Sequence, residues 1–353
     1  MDMRIRKDHT RSLIVSLAGV CLLGLIIFLA DTLGLMDSYI RGIFIQCCFA
    51  VIMAASLNLV MGYLGQIALG HAGFMAVGAY TSALVTKAIG LAIKAGSMPA
   101  LSNVAQFFIG LLCGAIAAAL FGLLVGIPAL RLRGDYLAII TLGFGEIIRV
   151  VIQNLPFAGG KGLANGQAGQ ALIGIMRMND LYIIFAVTVV CVAIMIAFVR
   201  SKFGRAIIAI REDDIASSAA GLNTTHYKVL TFVFSAFFAG VAGAIYAHRG
   251  LGTLQYSDFT FLKSTDFVIM VVLGGMGSMT GSVVTAVLLS VLPEVLRAFA
   301  DYRMLLYSII LVLMMIFRPT GLFGTYEFSL YRLLSRLFRK KPETLSSAAK
   351  GDV

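Results

Sequence analysis

Apolar residues come in long blocks along this chain, and polar residues gather in the gaps between them. Blocks near the ~20 residues a helix needs to cross a bilayer run Leu13–Ala30, Gly42–Met61, Ile67–Thr86, Val104–Leu130, Tyr136–Ile152, Tyr182–Val199 and Val229–Ala247. A longer block, Phe267–Arg297, is split by glycines at Gly274–Gly281, and a last one covers Met304–Phe317. The pattern predicts an all-α protein, a polytopic membrane helical bundle with Gly-broken helices. Both chain ends are basic, and short basic segments stay on the cytoplasmic side, so both termini are expected there. That parity needs an even number of crossings, about ten, with Phe267–Arg297 crossing twice as two short helices.

The gap from Ser201 to Lys228 is a polar interruption between two strongly apolar runs, each long enough to span a bilayer. It is too long for a turn and too short for a domain, and its punctuation predicts two short helices. Asp213 or Asp214 can N-cap a helix over Ile215–Ala220, Gly221 suits the residue past its end, and Asn223–Thr225 can cap the next span. So short a helix does not persist alone in water. Its small face, Ala216, Ala219 and Ala220, suits docking into a groove on another protein, although an ordinary connecting loop explains the same stretch.

Composition agrees with the block pattern. The 353 residues are 59% apolar and 13% charged, where soluble domains carry about 25% charged residues. The net charge of +11 sits in short loops, which points to anionic lipid headgroups and not to nucleic acid. All five cysteines (Cys21, Cys47, Cys48, Cys113, Cys191) lie inside apolar runs, as packing residues do. The first block is too long for a signal-peptide core and is expected to remain as a span. The chain thus divides into a transmembrane domain over 1–325, with a coupling segment at 201–228, and a basic tail over 326–353. In Tyr326–Lys341, Arg332, Arg336, Arg339, Lys340 and Lys341 alternate with Leu330, Leu333, Leu334, Leu337 and Phe338, the spacing of a helix lying on a membrane surface.

Small residues recur every four positions at Gly110, Gly114, Ala118, Gly122 and Gly126, and again at Ser235, Ala239, Gly243 and Ala247. In lipid such stripes let helix backbones approach closely. Polar residues within spans are costly and need partners or a wet surface. Glu146 shares a helix face with Arg149, three positions on. Two glycine-dense breaks, Gly62–Gly73 and Gly274–Gly281, interrupt apolar runs in the two halves of the chain. Paired broken helices often mark the substrate region of a transporter, because unwound backbone is tolerated only where it lines a cavity or is buried in protein. Asn58, Tyr63, Gln66 and His71 around the first break, Glu146, and Gly274, Gly275 and Gly277 of the second form the candidate translocation path. Interhelical hydrogen bonding is the plainer reading of Asn58, Gln66 and His71, as a structural pair is of Glu146 with Arg149. There is no P-loop, since Gly159-Gly160-Lys161-Gly162 fails the pattern, and no metalloprotease motif or nucleophile–base set.

Five stretches resemble one family: SLNLVMGYLGQIALGHAGFMAVGAY (Ser56–Tyr80), LRLRGDYLAIITLGFGEIIRVV (Leu130–Val151), FGRAIIAIREDDIASSAAGLN (Phe203–Asn223), VLGGMGSMTGSVVTA (Val272–Ala286) and RPTGLFG (Arg318–Gly324). In this order they resemble LivM-type permease subunits of branched-chain amino acid ABC importers. The resemblance implies a bacterial inner-membrane protein paired with a LivH-type permease, two cytoplasmic ABC ATPases and a periplasmic substrate-binding protein. It also implies that the chain itself binds no cofactor and is no enzyme, ATP and Mg being held by the ATPases. Coupling to them would fall on Gly204, Arg205, Arg211, Glu212, Ala216, Ala219 and Gly221. The chain departs from the family at Ser218, where such loops commonly carry Glu, so Glu212 or Asp213 would have to substitute. It departs again at Ala158, where the family tends to have Thr, in the long outer loop Asn154–Asn179. Permeases for urea or short amides resemble these subunits closely. An ion-coupled secondary transporter using Glu146 or Asp266 is the alternative from another class.

Overall fold

Within lipid a spanning segment must satisfy its own backbone polar groups, and a helix does so locally. The apolar blocks accordingly fold as helices. The computed structural model describes residues 37–155 and 172–299, apart from 97, 98, 100, 131, 133, 179 and 250–252, together with isolated positions between 302 and 324. The block Leu13–Ala30, the tail Tyr326–Lys341, most of Asn154–Asn179 and half of Met304–Phe317 lie outside the described residues. Those described belong to one compact unit, residues 27–327.

In chain order the helices are α1 (Ser38–Asn58), continued by a π-helical turn at Leu59–Tyr63, α2 (His71–Lys94), α3 (Asn103–Ala129), α4 (Asp135–Asn154) and α5 (Leu181–Arg200). Two short helices follow, α6 (Lys202–Glu212) and α7 (Asp214–Ala219), then α8 (Thr224–Ala247), α9 (Phe261–Gly274) and α10 (Met279–Val295). Among the described residues, six helices are long and apolar enough to cross a membrane: α1 with its π-turn, α2, α3, α4, α5 and α8. The third block starts later than its hydropathy suggests. Leu64–Gly70 is not helical, and α2 begins at His71 and runs on to Lys94.

The most apolar stretch of α1 is 78% buried and that of α8 72%, against 28% for α5. Helices α1 and α8 are therefore central, and the bundle is built around them. Helices α2, α3 and α8 pack through their small residues. A methyl on Gly78 would overlap the backbone of Gly240, and one on Gly240 would lie 2.9 Å from the Gly114 carbonyl oxygen. Lower on the same seam, a methyl on Gly126 would meet the Phe232 ring at 2.9 Å. With no gain from hiding apolar surface in lipid, this close approach is what holds the three helices together.

The glycine-split block Phe267–Arg297 does turn back on itself. Helices α9 and α10 form an antiparallel hairpin through Gly275–Ser278. Thr285 Oγ1 donates to the Met270 carbonyl at 2.7 Å, and Gly274 lies against Gly281 so closely that a methyl would come 2.7 Å from the Gly281 carbonyl carbon. Ser278 caps α10 by accepting from the Gly281 N–H at 3.1 Å. At the end of the bundle opposite α6 and α7, a two-residue antiparallel ladder pairs Leu172 with Leu254 and Ile173 with Thr253. At that end, too, Tyr39 at the start of α1 donates its hydroxyl to Glu294 near the end of α10.

Candidate functional site

The polar interruption folds as a foot of two helices between α5 and α8. Ser201 caps α6, its hydroxyl accepting from the Phe203 N–H at 3.1 Å. Gly204, Ala206, Ile207 and Ile210 form the buried face of α6. Phe203 extends an aromatic stack with Phe198, whose ring lies 4.3 Å from that of Phe234 on α8. Gly204 abuts the Val199 carbonyl, where a side chain would overlap it, so its place is in the corner between α5 and α6.

A single extended residue, Asp213, separates α6 from α7. Of the two candidate caps it is Asp213 that serves, accepting through Oδ1 from the N–H groups of Ile215 and Ala216 at 2.8 and 2.9 Å. Helix α7 therefore starts and ends one residue earlier than Ile215–Ala220. Gly221 has φ +87° and closes the helix, with the Leu222 N–H reaching the Ser217 carbonyl at 3.1 Å. Asn223 caps α8 by accepting from the His226 N–H at 3.1 Å. Asp214 is ion-paired at 2.7 Å with Lys228 on α8. Only Ser217 of α7 turns inward; Ala216, Ala219 and Ala220 are exposed, and Ile215 is 74% exposed. Arg205, Glu212, Asp213 and Gly221 are exposed as well.

Arg211 is exposed like its neighbours, yet its side chain also reaches back to the bundle. It lies four residues after Ile207, at the edge of the buried face of α6. Its Nη1 donates to the carbonyl of Gly62 in the π-turn that ends α1. A methyl on Gly65, which has φ +73°, would come 2.8 Å from Arg211 Cγ, and one on Gly277 3.2 Å from Nη1. One side chain thus lies across both glycine breaks.

The breaks are also pinned to each other. Asn58 accepts through Oδ1 from the Gly277 N–H and donates through Nδ2 to the Ser278 carbonyl, both at 3.0 Å. A side chain on Gly62 would overlap Asn58 Oδ1 and the Gly277 nitrogen. Such a contact is open only to glycine. Behind the hairpin turn, the Leu322 N–H donates to the Leu273 carbonyl at 2.7 Å, and Gly321 and Gly324 press on Gly275. Asn58, Gly62, Arg211, Gly275 and Gly277 therefore form one cluster, and Gly321, Leu322 and Gly324 join it.

Other members of the candidate path lie elsewhere. Tyr63 is buried in the π-turn. Gln66 is half-buried, and its Oε1 has no hydrogen-bond partner among the described residues. His71 is buried against Ser56. Ser56 Oγ donates to the Met53 carbonyl, so it receives its 2.9 Å bond from His71 Nε2–H. Ser235 of α8 in turn donates to the Ser56 carbonyl at 2.6 Å. Glu146 is paired with Arg149 at 2.7 Å and accepts from the Phe261 N–H at 3.0 Å, so it caps the start of α9. The positive end of a helix favours such a carboxylate. Interhelical hydrogen bonding accounts for Asn58 and His71, and pairing for Glu146.

Two residues escape sequence reasoning. Thr141 Oγ1 accepts from the Leu69 N–H at 3.1 Å, and Ser264 Oγ from the Ala72 N–H at 2.9 Å. Together they hold the unwound entry to α2 on α4 and α9. Thr141 lies within the second family-like stretch, which is the one signal that could have found it. Among the described residues no three His, Cys, Asp or Glu side chains are grouped as a metal site requires.

The fold and this cluster define a multi-pass helical membrane protein whose paired helix breaks are tied to a short polar foot. Residues 39–318 match the family described as branched-chain amino acid transport system, permease component, and the chain belongs to that family. The high-affinity branched-chain amino acid transport system permease protein LivM of Salmonella typhimurium is 38% identical over 299 residues, covering 77% of this chain and 67% of the relative. LivM of Escherichia coli is 37% identical over the same length, with the same shares of each chain. LivH of Salmonella typhimurium is 26% identical over 307 residues, covering 83% of this chain and 96% of LivH. No solved structure matches.

Proposed function

We propose that this chain is one membrane-embedded half of an ATP-driven importer of branched-chain amino acids, working beside a LivH-type permease. Two cytoplasmic ABC ATPases would supply the energy and hold ATP and Mg, and a periplasmic binding protein would deliver the substrate. On this reading the chain has about ten crossings of the bacterial inner membrane and both termini in the cytoplasm, and it hydrolyses nothing itself. Likeness to both LivM and LivH, over most of the chain, suits two similar permeases set side by side.

The observation that carries the reading is the foot. Helix α7 has six residues and leaves Ile215, Ala216, Ala219 and Ala220 uncovered between two membrane-length helices. A helix that short persists by docking, and a small apolar face on it fits a groove in a soluble partner. Arg205, Glu212 and Asp213 of the same foot are exposed and charged. The fixed positions of Glu146, paired and capping α9, leave little for an ion-coupled mechanism to use. Asp266 lies 3.9 Å from Lys263.

The test is reconstitution of the chain with its partner permease, the two ATPases and the binding protein in proteoliposomes, followed by uptake of labelled leucine, isoleucine and valine. Uptake is expected only with all components and ATP present. Uptake by this chain alone along an ion gradient would overturn the proposal, and uptake of urea or a short amide in preference would reassign the substrate.

A further inference from the structure

We propose that Arg211 is a latch that ties the position of the foot to the conformation of both helix breaks. The inference rests on the functional reading above and goes beyond it, because it names the link between the foot and the path. The side chain leaves the end of α6, passes Gly65 and places its guanidinium at Gly277, with Nη1 on the Gly62 carbonyl. Two helices end there. The first is α1 with its π-turn, whose ladder closes with the Leu64 N–H on Leu59 and the Gln66 N–H on Val60. The second is α9, which stops at Gly274. Helix C-termini carry partial negative charge and unpaired carbonyls. A permanent cation donating to one such carbonyl satisfies both at once.

The arrangement has a mechanical consequence. Arg211 stands two residues before Asp213, the extended residue from which α7 begins. Displacement of α7 by a partner acts on the end of α6 and draws the guanidinium from the Gly62 carbonyl. The π-turn, held otherwise by Asn58 on the hairpin turn, is then released together with the Gly275–Ser278 turn. Foot and breaks become two ends of one two-state element, which is what coupling between distant sites requires.

The experiment measures ATP hydrolysed per leucine taken up, in proteoliposomes holding the complete transporter with wild-type chain, Arg211→Ala or Arg211→Lys. The ratio is expected to rise about tenfold in Arg211→Ala, within the usual range of coupling between sites. Arg211→Lys, which keeps the charge but not the fork, should fall between the two. A wild-type ratio in Arg211→Ala overturns the latch. Should Arg211→Ala fail to assemble, a second measurement decides with Arg211 in place. Met276, 46% exposed in the hairpin turn, is replaced by cysteine in a chain whose five native cysteines are alanine. Its rate of labelling by a membrane-impermeant maleimide is compared with and without trapped nucleotide. A nucleotide-dependent rate supports the latch, and identical rates overturn it. Wild-type vesicles that take up no branched-chain amino acid overturn the functional reading and the latch with it.

Discussion

Gly78, Gly114 and Gly240 meet where α2, α3 and α8 cross, while Gly62, Gly275 and Gly277 meet where α1 and the α9–α10 hairpin break. The first set sits in unbroken helices, where absence of a side chain lets backbone touch backbone. The second set sits among polar partners. Gly275 and Gly277 have φ +104° and +89°, and Asn58 and Arg211 supply bonds the broken helices no longer make. The same residue thus builds a stiff column in one place and an elbow in the other. What separates the two is the company they keep: apolar small residues at four-residue spacing against an amide and a guanidinium.

If this contrast is right, damage to the column costs folding and damage to the elbow costs transport. The largest effect is expected from Gly78→Val. Its new atoms would collide with the Gly240 backbone, which cannot yield as a flexible side chain would, so the loss should reach about 3 kcal/mol or more. Size-exclusion chromatography and thermal unfolding in detergent should show little folded protein, and a wild-type profile would refute the stiff column. Asn58→Ala comes next. It leaves the Gly277 N–H without its partner, at about 1–3 kcal/mol, and removes one of the three donors to the Ser278 carbonyl, which keeps those from Ser282. The chain should still fold, with a lowered Tm and a loss of uptake out of proportion to that drop. Equal losses in both would erase the distinction between the regions. Asp213→Ala should matter least, removing a helix cap at about 1 kcal/mol. Hydrogen exchange should quicken at the Ile215 and Ala216 amides and stay unchanged in α3.

Much of this was legible because the forces involved are local. Lipid demands continuous apolar runs, so the spans from Gly42–Met61 to Val229–Ala247 agree with observed helices to within a few residues at most ends. Capping acts over three or four residues, so the two-helix foot and Gly221 could be read directly, while the choice of Asp213 over Asp214 and of Asn223 within Asn223–Thr225 came from the structure. The division of Phe267–Arg297 into two helices followed from its length and glycines. The cluster itself could not be read. Arg211 and Gly62 are 149 positions apart, and Asn58 and Gly277 are 219 apart; one sequence offers no measure of such proximity. The place of Arg211 four residues after Ile207, at the edge of the apolar face of α6, was the available hint, and family likeness pointed it toward the ATPases. The late start of α2 was hidden for a related reason. Ile67, Ala68 and Leu69 are apolar, and only the hydrogen bonds of Thr141 and Ser264 allow them to stay unwound.

The ion pair between Asp214 and Lys228 divides whatever load reaches α7. One branch runs through Asp213 and Arg211 into the elbow, and the other runs through Lys228 into α8 and the glycine column. A tie to a stiff body moves little, so with Arg211 as the proposed latch the Lys228 tie is the point about which the foot can turn. On that proposal the ion pair is a pivot: the column keeps it in place, and a tug on the foot would turn α6 about it toward the place where the helices are already broken.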